Sequence, residues 1–332
     1  MRKFYLIVNP TRDNGLQAAK KVETYLRDAG CTFKTHISVN SVNDIYTAAD
    51  SIPEDTECVL VIGGDGTMIQ AARDLAELDI PLLGINMGHM GYLTDVEIDD
   101  IDPSLKSLIE DRYIVDDRMM ITGDILEEIP DSIYDRAYDQ SSGGDQAEAC
   151  SVSYPSCISG KTADANSGEM NLDVIDKGLA ERTAKRRDRA LNDIVVHRSG
   201  YMRVIDYNVF VNGKFLKSYR ADGIIVSTPT GSTAYSLSAG GPIVEPGSKL
   251  FIITPICPHT LNSRSIVLSS DDEIFISTSE KDTSVSYDGR EKGLIPPNGG
   301  VRITRSNKVA RIVRLHDNSF LNVLHNKFID TV

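Results

Sequence analysis

Gly63-Gly64-Asp65-Gly66-Thr67 sets three glycines and one carboxylate between an apolar run, Cys58 to Ile62, and a segment with Met68, Ala71, Ala72, Leu75 and Ala76 at helical spacing. A strand, a glycine turn and a helix in that order present backbone N–H groups and a helix N-terminus to phosphate oxygens. The spacing is neither GxxxxGKS/T nor GxGxxG, so it supports neither Walker-type phosphoryl transfer nor an ordinary dinucleotide fingerprint. A carboxylate beside phosphates is repulsive unless it binds a divalent cation or takes a proton from a hydroxyl. Asp65 therefore reads as a metal-binding or proton-accepting group, against the plainer reading of a helix cap in a tight turn.

Two further loops carry chemistry-bearing residues. Asn86-Met87-Gly88-His89-Met90-Gly91-Tyr92-Leu93 follows the strand-like Pro81 to Ile85, and an amide at a strand end can read an adenine edge or a ribose hydroxyl, whereas Tyr92 can also simply fill the core. The run from Asp222 to Pro242 takes a strand into a hydroxyl-rich loop, Thr228 to Thr233, and then into small residues around Tyr235. Its hydroxyls suit sugar and amide groups, and Tyr235 offers a stacking face.

The elements that must hold these loops fall into two kinds. Short apolar strands at Phe4–Val8, Cys58–Ile62 and Pro81–Ile85 alternate with amphipathic helices, which predicts an α/β domain with a mainly parallel sheet covered on both faces. Ligands of such sheets sit beyond the carboxyl ends of the strands, where both glycine loops fall. From Leu191 onward, β-branched and aromatic runs separated by Gly, Asn and Ser predict an all-β layered C-terminal domain, with Asn212-Gly213 as a two-residue hairpin turn. The expected divisions are 1–115, 116–305 and a C-terminal segment 306–332 that returns to the first domain, with a helix over Leu321 to Phe328. Ser-, Gly- and Asp-rich residues 141–168 read as a mobile insertion, and the charged run Lys177 to Arg189 as a short helix.

A length of 332 residues allows about two domains. Thirty-five Lys and Arg against 48 Asp and Glu leave a net charge of −13, which argues against a nucleic-acid partner. No apolar stretch approaches the roughly 20 residues that cross a bilayer. Five cysteines, an odd number without a CxxC pair, suggest a reducing compartment, and the chain reads as cytoplasmic with no membrane partner. Cys257 reads as a small buried side chain, and His259 as structural or near a nucleotide rather than a metal ligand.

The chain resembles the NAD kinase family over nearly its whole length. GGDGT is shared with lipid kinases, but Gly84-Ile85-Asn86-Met87-Gly88 with Gly91-Tyr92-Leu93, Leu191-Asn192-Asp193, and Asp222-Gly223 running into Thr228–Tyr235 are more discriminating. The resemblance implies transfer of the ATP γ-phosphoryl to the adenosine-ribose 2'-hydroxyl of NAD, with Mg2+ or another divalent cation. It implies Asp65 as proton acceptor and Gly63, Gly64, Gly66 and Asn86 as nucleotide-binding positions. Asn192 matches the asparagine of the family's Asn-Glu pair, with Asp193 in the place of Glu and one methylene shorter. Arg203 and Asp222 match substrate-binding positions, the latter near the nicotinamide, and Thr233, Ala234, Tyr235 and Ser238 match a nucleotide-contacting segment. Tyr287-Asp288-Gly289-Arg290 resembles an Asp-Gly-Gln element with Arg290 in place of Gln. A homodimer or homotetramer is implied, with contacts near Cys257. Two other readings stand beside it: a lipid or diacylglycerol kinase, which the acidic charge disfavours, and an NADP(H)-binding sensor without transfer, against which Asp65 counts.

Overall fold

The computed structural model describes residues 1–37, 47–87, 91–129, 187–200, 204–260, 263–280, 283–315, 320–321 and 324–325. The first half alternates β1 (Lys3–Val8), α1 (Gln17–Asp28), β2 (Thr32–Ile37), β3 (Cys58–Gly63), α2 (Asp65–Asp74), β4 (Leu82–Asn86), β5 (Val96–Glu97) and α3 (Ile101–Ile109). β2, β1, β3 and β4 lie side by side in parallel, and β5 adds to β4 in the same sense. Successive strand side chains point to opposite faces, so each strand feeds two cores. Phe4, Leu6 and Val8 pack with Ala18, Val22, Leu26 and Leu105, whereas Tyr5, Ile7, Val59 and Val61 pack with Met68, Ala71, Ala72 and Leu75. The start of α1 is secured by the buried Asp13, whose carboxylate accepts the N–H groups of Ala18 and Ala19 at 3.1 and 2.9 Å.

The second half is built from β6 (Ile114–Leu126), β7 (Arg187–Ala190), β8 (Asp193–Arg198), β9 (Ile205–Val211), β10 (Lys214–Ala221), β11 (Gly223–Ser227), the single turn α4 (Tyr235–Ser238), β12 (Leu250–Ile256), β13 (Ile266–Ser269), β14 (Ile274–Ser277), β15 (Thr283–Tyr287), β16 (Arg290–Leu294) and β17 (Gly300–Arg314). One antiparallel sheet runs β13-β12-β11-β8-β15-β16. A second runs β10-β9-β14-β17 and continues through β17 into β4 of the parallel sheet. Between the two layers, Ile194, Val196, Ile224, Val226 and Phe251 meet Tyr207, Val209, Ile274, Ile276 and Val301 in one core. The expected α/β half and layered all-β half are both present. Asn212 and Gly213 take φ of 50° and 73° in the hairpin between β9 and β10, the left-handed geometry that Asn-Gly suits.

β17 pairs with β6 from Gly300 opposite Leu126 to Arg314 opposite Ile114, with a register shift between Arg305 and Val309. Beyond that bulge, Ile312 lies opposite Leu82 of β4, so one strand serves both halves.

Two expectations change, and one alternative reading falls away. Residues 187–189 belong to strand β7 rather than to a helix, because they pair with Asp124, Gly123 and Thr122 along β6. Cys257 is exposed rather than buried, with a φ of 44° where the chain turns off β12. Asp65 is not the helix cap: Gly64 holds that position, Asp65 is the first residue of α2, and its carboxylate is bound by the Tyr92 and Leu93 N–H groups. The segment 141–168 lies outside the described residues, as do residues 177–186; of Leu321–Phe328, Leu321, Leu324 and His325 are described and helical. Among the described residues no helix is long and apolar enough to cross a membrane.

Candidate active site

β3 and β4 end side by side, with Gly63 opposite Asn86, and this brings the two glycine loops to one edge of the sheet. The half-buried Asp65 projects toward the second loop, where its Oδ2 accepts the Tyr92 N–H at 2.9 Å and its Oδ1 accepts the Leu93 N–H at 3.2 Å. Gly91 makes this approach possible, since a Cβ there would run into Asp65 Oδ1. Each oxygen keeps a free lone pair for a further donor. The carboxylate is thus oriented from behind by Tyr92 and Leu93, whose loop is anchored in turn. Arg314 donates to the Tyr92 carbonyl at 3.0 Å and pairs at 3.4 Å with the buried Asp95, whose other oxygen accepts the Leu315 N–H at 2.8 Å.

Three clefts carry the residues of interest, two of them bordered by these loops. The first, about 760 Å3, is lined by Gly64, Asp65, Gly66, Thr67 and Gln70 of the glycine turn and α2, by Asn9, Pro10, Thr11 and Arg12 beyond β1, and by Arg290. Asn9 donates to Thr67 Oγ1 at 3.0 Å and accepts the Thr11 hydroxyl at 2.7 Å, joining the loop after β1 to the glycine turn. Two arginines, one carboxylate and a glycine-rich turn lining one cleft suit it to phosphates. The second cleft, about 530 Å3, lies in the β half and is lined by Asn192, Asp193, His197, Arg198, Asp222, Ala234, Tyr235, Asp288 and Gly289, among others. The third, about 300 Å3, is bounded by Tyr92, Leu93, Arg118, Thr230, Thr233 and Arg314. Consecutive residues serve different clefts: Gly289 the second and Arg290 the first, Thr233 the third and Ala234 the second.

Asn192 sits on a turn held by hydrogen bonds from two residues and by the close approach of a third. The Asp288 carboxylate accepts N–H groups from Leu191, Asn192 and Asp193 at 3.0, 2.7 and 3.3 Å. Thr228 donates its hydroxyl to the Leu191 carbonyl at 2.6 Å and its N–H to the Asn192 carbonyl at 2.8 Å. Gly231 closes against the Asn192 backbone, where a Cβ would overlap the Asn192 carbonyl. In the same cleft Asp222 is paired with Arg198 at 2.9 Å, so its charge is balanced before any ligand arrives.

Asp193 is 4% exposed, and burial first and the Asp288 charge second push its carboxyl from 3.8 to about 7. Burial also raises Asp288, opposed by the three N–H groups and by Arg73. A carboxyl whose pKa is raised on folding binds more protons in the folded chain. Its contribution to stability is complete below about pH 4 and is lost as pH rises through about 7. Asp193→Asn is therefore expected to gain stability relative to the parent between pH 4 and 7, on the order of 2–4 kcal/mol across the window. Urea unfolding at several pH values measures this; parallel stability curves for the two proteins would refute it.

Of the residues expected from sequence, Gly64, Asp65, Gly66 and Arg290 line the first cleft, Asn192, Asp193, Asp222, Ala234 and Tyr235 the second, and Thr233 the third. Gly63 closes β3 against the Thr67 side chain, and Asn86 is buried at the end of β4; neither lines these clefts. Ser238 is exposed on α4 and also lines none of them, and Arg203 lies outside the described residues. Sequence reasoning passed over Asn9, Arg12, Gln70 and Arg198, and named Asp288 only within the Asp-Gly-Arg element, without its role at the Asn192 turn. Asn9-Pro10 at a strand end and the Asp-Gly turn at 288–289 were the available signals; Arg198 and Gln70 had none.

The chain matches the ATP-NAD kinase N-terminal domain over residues 4–113 and the ATP-NAD kinase C-terminal domain over residues 191–315. It is similar to the NAD kinase of Lachnospira eligens, 36% identical with 98% of this chain and 100% of that protein covered. The NAD kinase of Lachnoclostridium phytofermentans is 34% identical, with 99% and 100% covered. Among solved structures, yeast NADH kinase complexed with NADH superposes with a TM-score of 0.69 at 20% identity, covering 98% of this chain and 86% of that one. The NAD kinase of Archaeoglobus fulgidus in complex with ATP gives 0.64 at 22% identity, covering 98% of both chains. These two carry the likeness of fold, and the sequence relatives extend it along full-length chains. A glycine loop on one half facing a hydroxyl-rich pocket on the other is therefore no chance pairing of motifs: the chain belongs to the NAD kinase family.

Proposed function

We propose that the protein transfers the γ-phosphoryl group of ATP to the 2'-hydroxyl of the adenosine ribose of NAD, giving NADP and ADP. The observation that carries this is the Asp65 carboxylate, fixed by the Tyr92 and Leu93 N–H groups at the wall of a cleft that also presents Arg12, Arg290 and the glycine-turn N–H groups. The donor phosphates lie on the glycine turn and the two arginines. Asn192, Asp193 and Thr233 hold the adenosine, and Asp222, Ala234 and Tyr235 face the nicotinamide half; Tyr235, 46% exposed, offers its ring for stacking. Asp65 accepts the proton as the ribose oxygen bonds to the γ-phosphorus and the bond to the bridging oxygen breaks, with ADP leaving.

Among the described residues there is no cluster of three His, Cys, Asp or Glu side chains that could hold a metal ion. The single carboxylate of Asp65 in the first cleft fits Mg2+, which binds through one or two carboxylates together with substrate phosphates, and Asp65 would hold it there. When bound, the ion neutralises charge developing on the phosphoryl oxygens. Exposed Tyr235, Leu237 and Cys257 on neighbouring turns support self-association through this edge as a homodimer or homotetramer. The free thiols of Cys31, Cys58 and Cys257 support a reducing, cytoplasmic setting.

Incubation with NAD, ATP and Mg2+ should yield NADP carrying a 2'-phosphate, identified by phosphorus NMR. Binding of NAD or NADP without transfer would replace this reading by a sensor. Phosphorylation of diacylglycerol in its place would assign a lipid kinase.

A further inference from the structure

Arg73, on the last turn of α2, takes no part in the steps above, yet it joins the two halves of the site. Its Nη1 donates to the Tyr287 carbonyl at 3.2 Å, 214 residues away in sequence and next to Asp288. Its Nη2 donates to Gln70 Oε1 at 3.0 Å, and Gln70 lines the first cleft. Gln70 in turn donates to Asp74, whose other oxygen accepts the Thr47 N–H at 3.3 Å. A guanidinium with both terminal nitrogens committed holds a defined orientation, which a lysine ammonium on a flexible stem does not.

We infer that Arg73 is a positioning residue that locks the helix opening at Asp65 to the turn that holds Asn192. The inference rests on the function proposed above. One end of α2 carries Asp65 and the other carries Arg73, so the helix spans from the phosphate cleft to the β15–β16 turn. That turn presents the Asp288 carboxylate to Leu191, Asn192 and Asp193. The Arg73 charge also favours the ionised form of Asp288, the form in which both oxygens accept N–H groups. Displacing Arg73 frees the turn to shift relative to α2, and the dinucleotide loses alignment, while the donor cleft is disturbed less, through Gln70 and Arg290 alone.

The test uses the full chain with Arg73→Met, Arg73→Lys, Asn192→Ala and the double variant R73M/N192A. Arg73→Met should raise the KM for NAD by roughly 10-fold or more, with a distinctly smaller rise in the KM for ATP through Gln70 and Arg290. Arg73→Lys should restore part of the loss, because it keeps the charge and one donor. The double variant should be little worse than Asn192→Ala alone, because Arg73 acts through Asn192. Multiplying effects, or a lowered melting temperature with unchanged NAD kinetics, would overturn the inference. Calorimetric titration with NAD repeats the comparison without turnover, so wild-type protein that binds NAD but makes no NADP defeats the proposed function and leaves the Arg73 result readable. If Arg73→Met does not fold, Arg73→Lys decides: NAD affinity equal to wild type overturns the inference, and an intermediate loss supports it.

Discussion

Asp65→Asn is expected to slow phosphoryl transfer at least roughly 100-fold at saturating NAD and ATP, with a far smaller effect on NAD affinity. The substitution keeps the shape of the side chain and removes the charge and nearly all the basicity. It also has a local cost that the geometry makes explicit. Asp65 accepts one N–H on each oxygen, and an amide can accept only one of the two, so the Tyr92 or Leu93 N–H loses its partner. A stability loss of about 1–3 kcal/mol accompanies the catalytic one. Single-turnover rates at saturation, measured well below the melting temperature, separate the two. If Asp65 chiefly holds the cation, raising the magnesium concentration should restore part of the rate. Transfer at the wild-type rate in Asp65→Asn would remove Asp65 from both roles.

The second large effect is expected at Asp288. Asp288→Ala leaves three N–H groups of the Asn192 turn without their acceptor, at a cost on the order of 3 kcal/mol or more in unfolding free energy. NAD affinity should fall roughly 100-fold with it, as Asn192 and Asp193 lose their fixed backbone. Alanine is also strained at the φ of 49° that Asp288 adopts, whereas asparagine tolerates that region. Asp288→Asn is therefore the cleaner variant, retaining one acceptor oxygen and an intermediate affinity. Urea unfolding and calorimetry with NAD read the two effects, and wild-type values for both in Asp288→Ala would dismiss the proposed support of the turn.

Legibility in the sequence followed burial. β1, β3, β4, β11 and the start of β8 are buried almost throughout, and they stand out as uninterrupted apolar runs. β2, reading Thr32–Ile37 along one edge of its sheet, alternates between exposed and half-buried, and β16 is as polar as Arg-Glu-Lys at its start. Both escaped the sequence because an edge strand needs no apolar pattern to be held by its neighbour. The same division runs through the site. A strand, a glycine turn and a helix are local, so the loop at Asp65 was readable at once. The grip of Asp288 on Asn192 spans 96 positions and that of Arg73 on Tyr287 spans 214, and no local pattern encodes either. Asp193 shows the limit from the other side: its type was visible, but its raised proton affinity arises from burial beside a carboxylate distant in sequence.

β17 gives the molecule a mechanical character that two domains joined by a linker would lack. Arg302 opposite Phe275 and Ile312 opposite Leu82 are points on one continuous ribbon, backed over its length by β6. Tension applied to either half passes directly into the other through backbone hydrogen bonds, with no slack segment along β17 to absorb it. Opening and closing of the clefts must then proceed by twisting of the β6–β17 ribbon, and the register shift between Arg305 and Val309 is its most compliant point. Melting should be shared in the same way, with amide protons of β17 exchanging only when both halves come apart together.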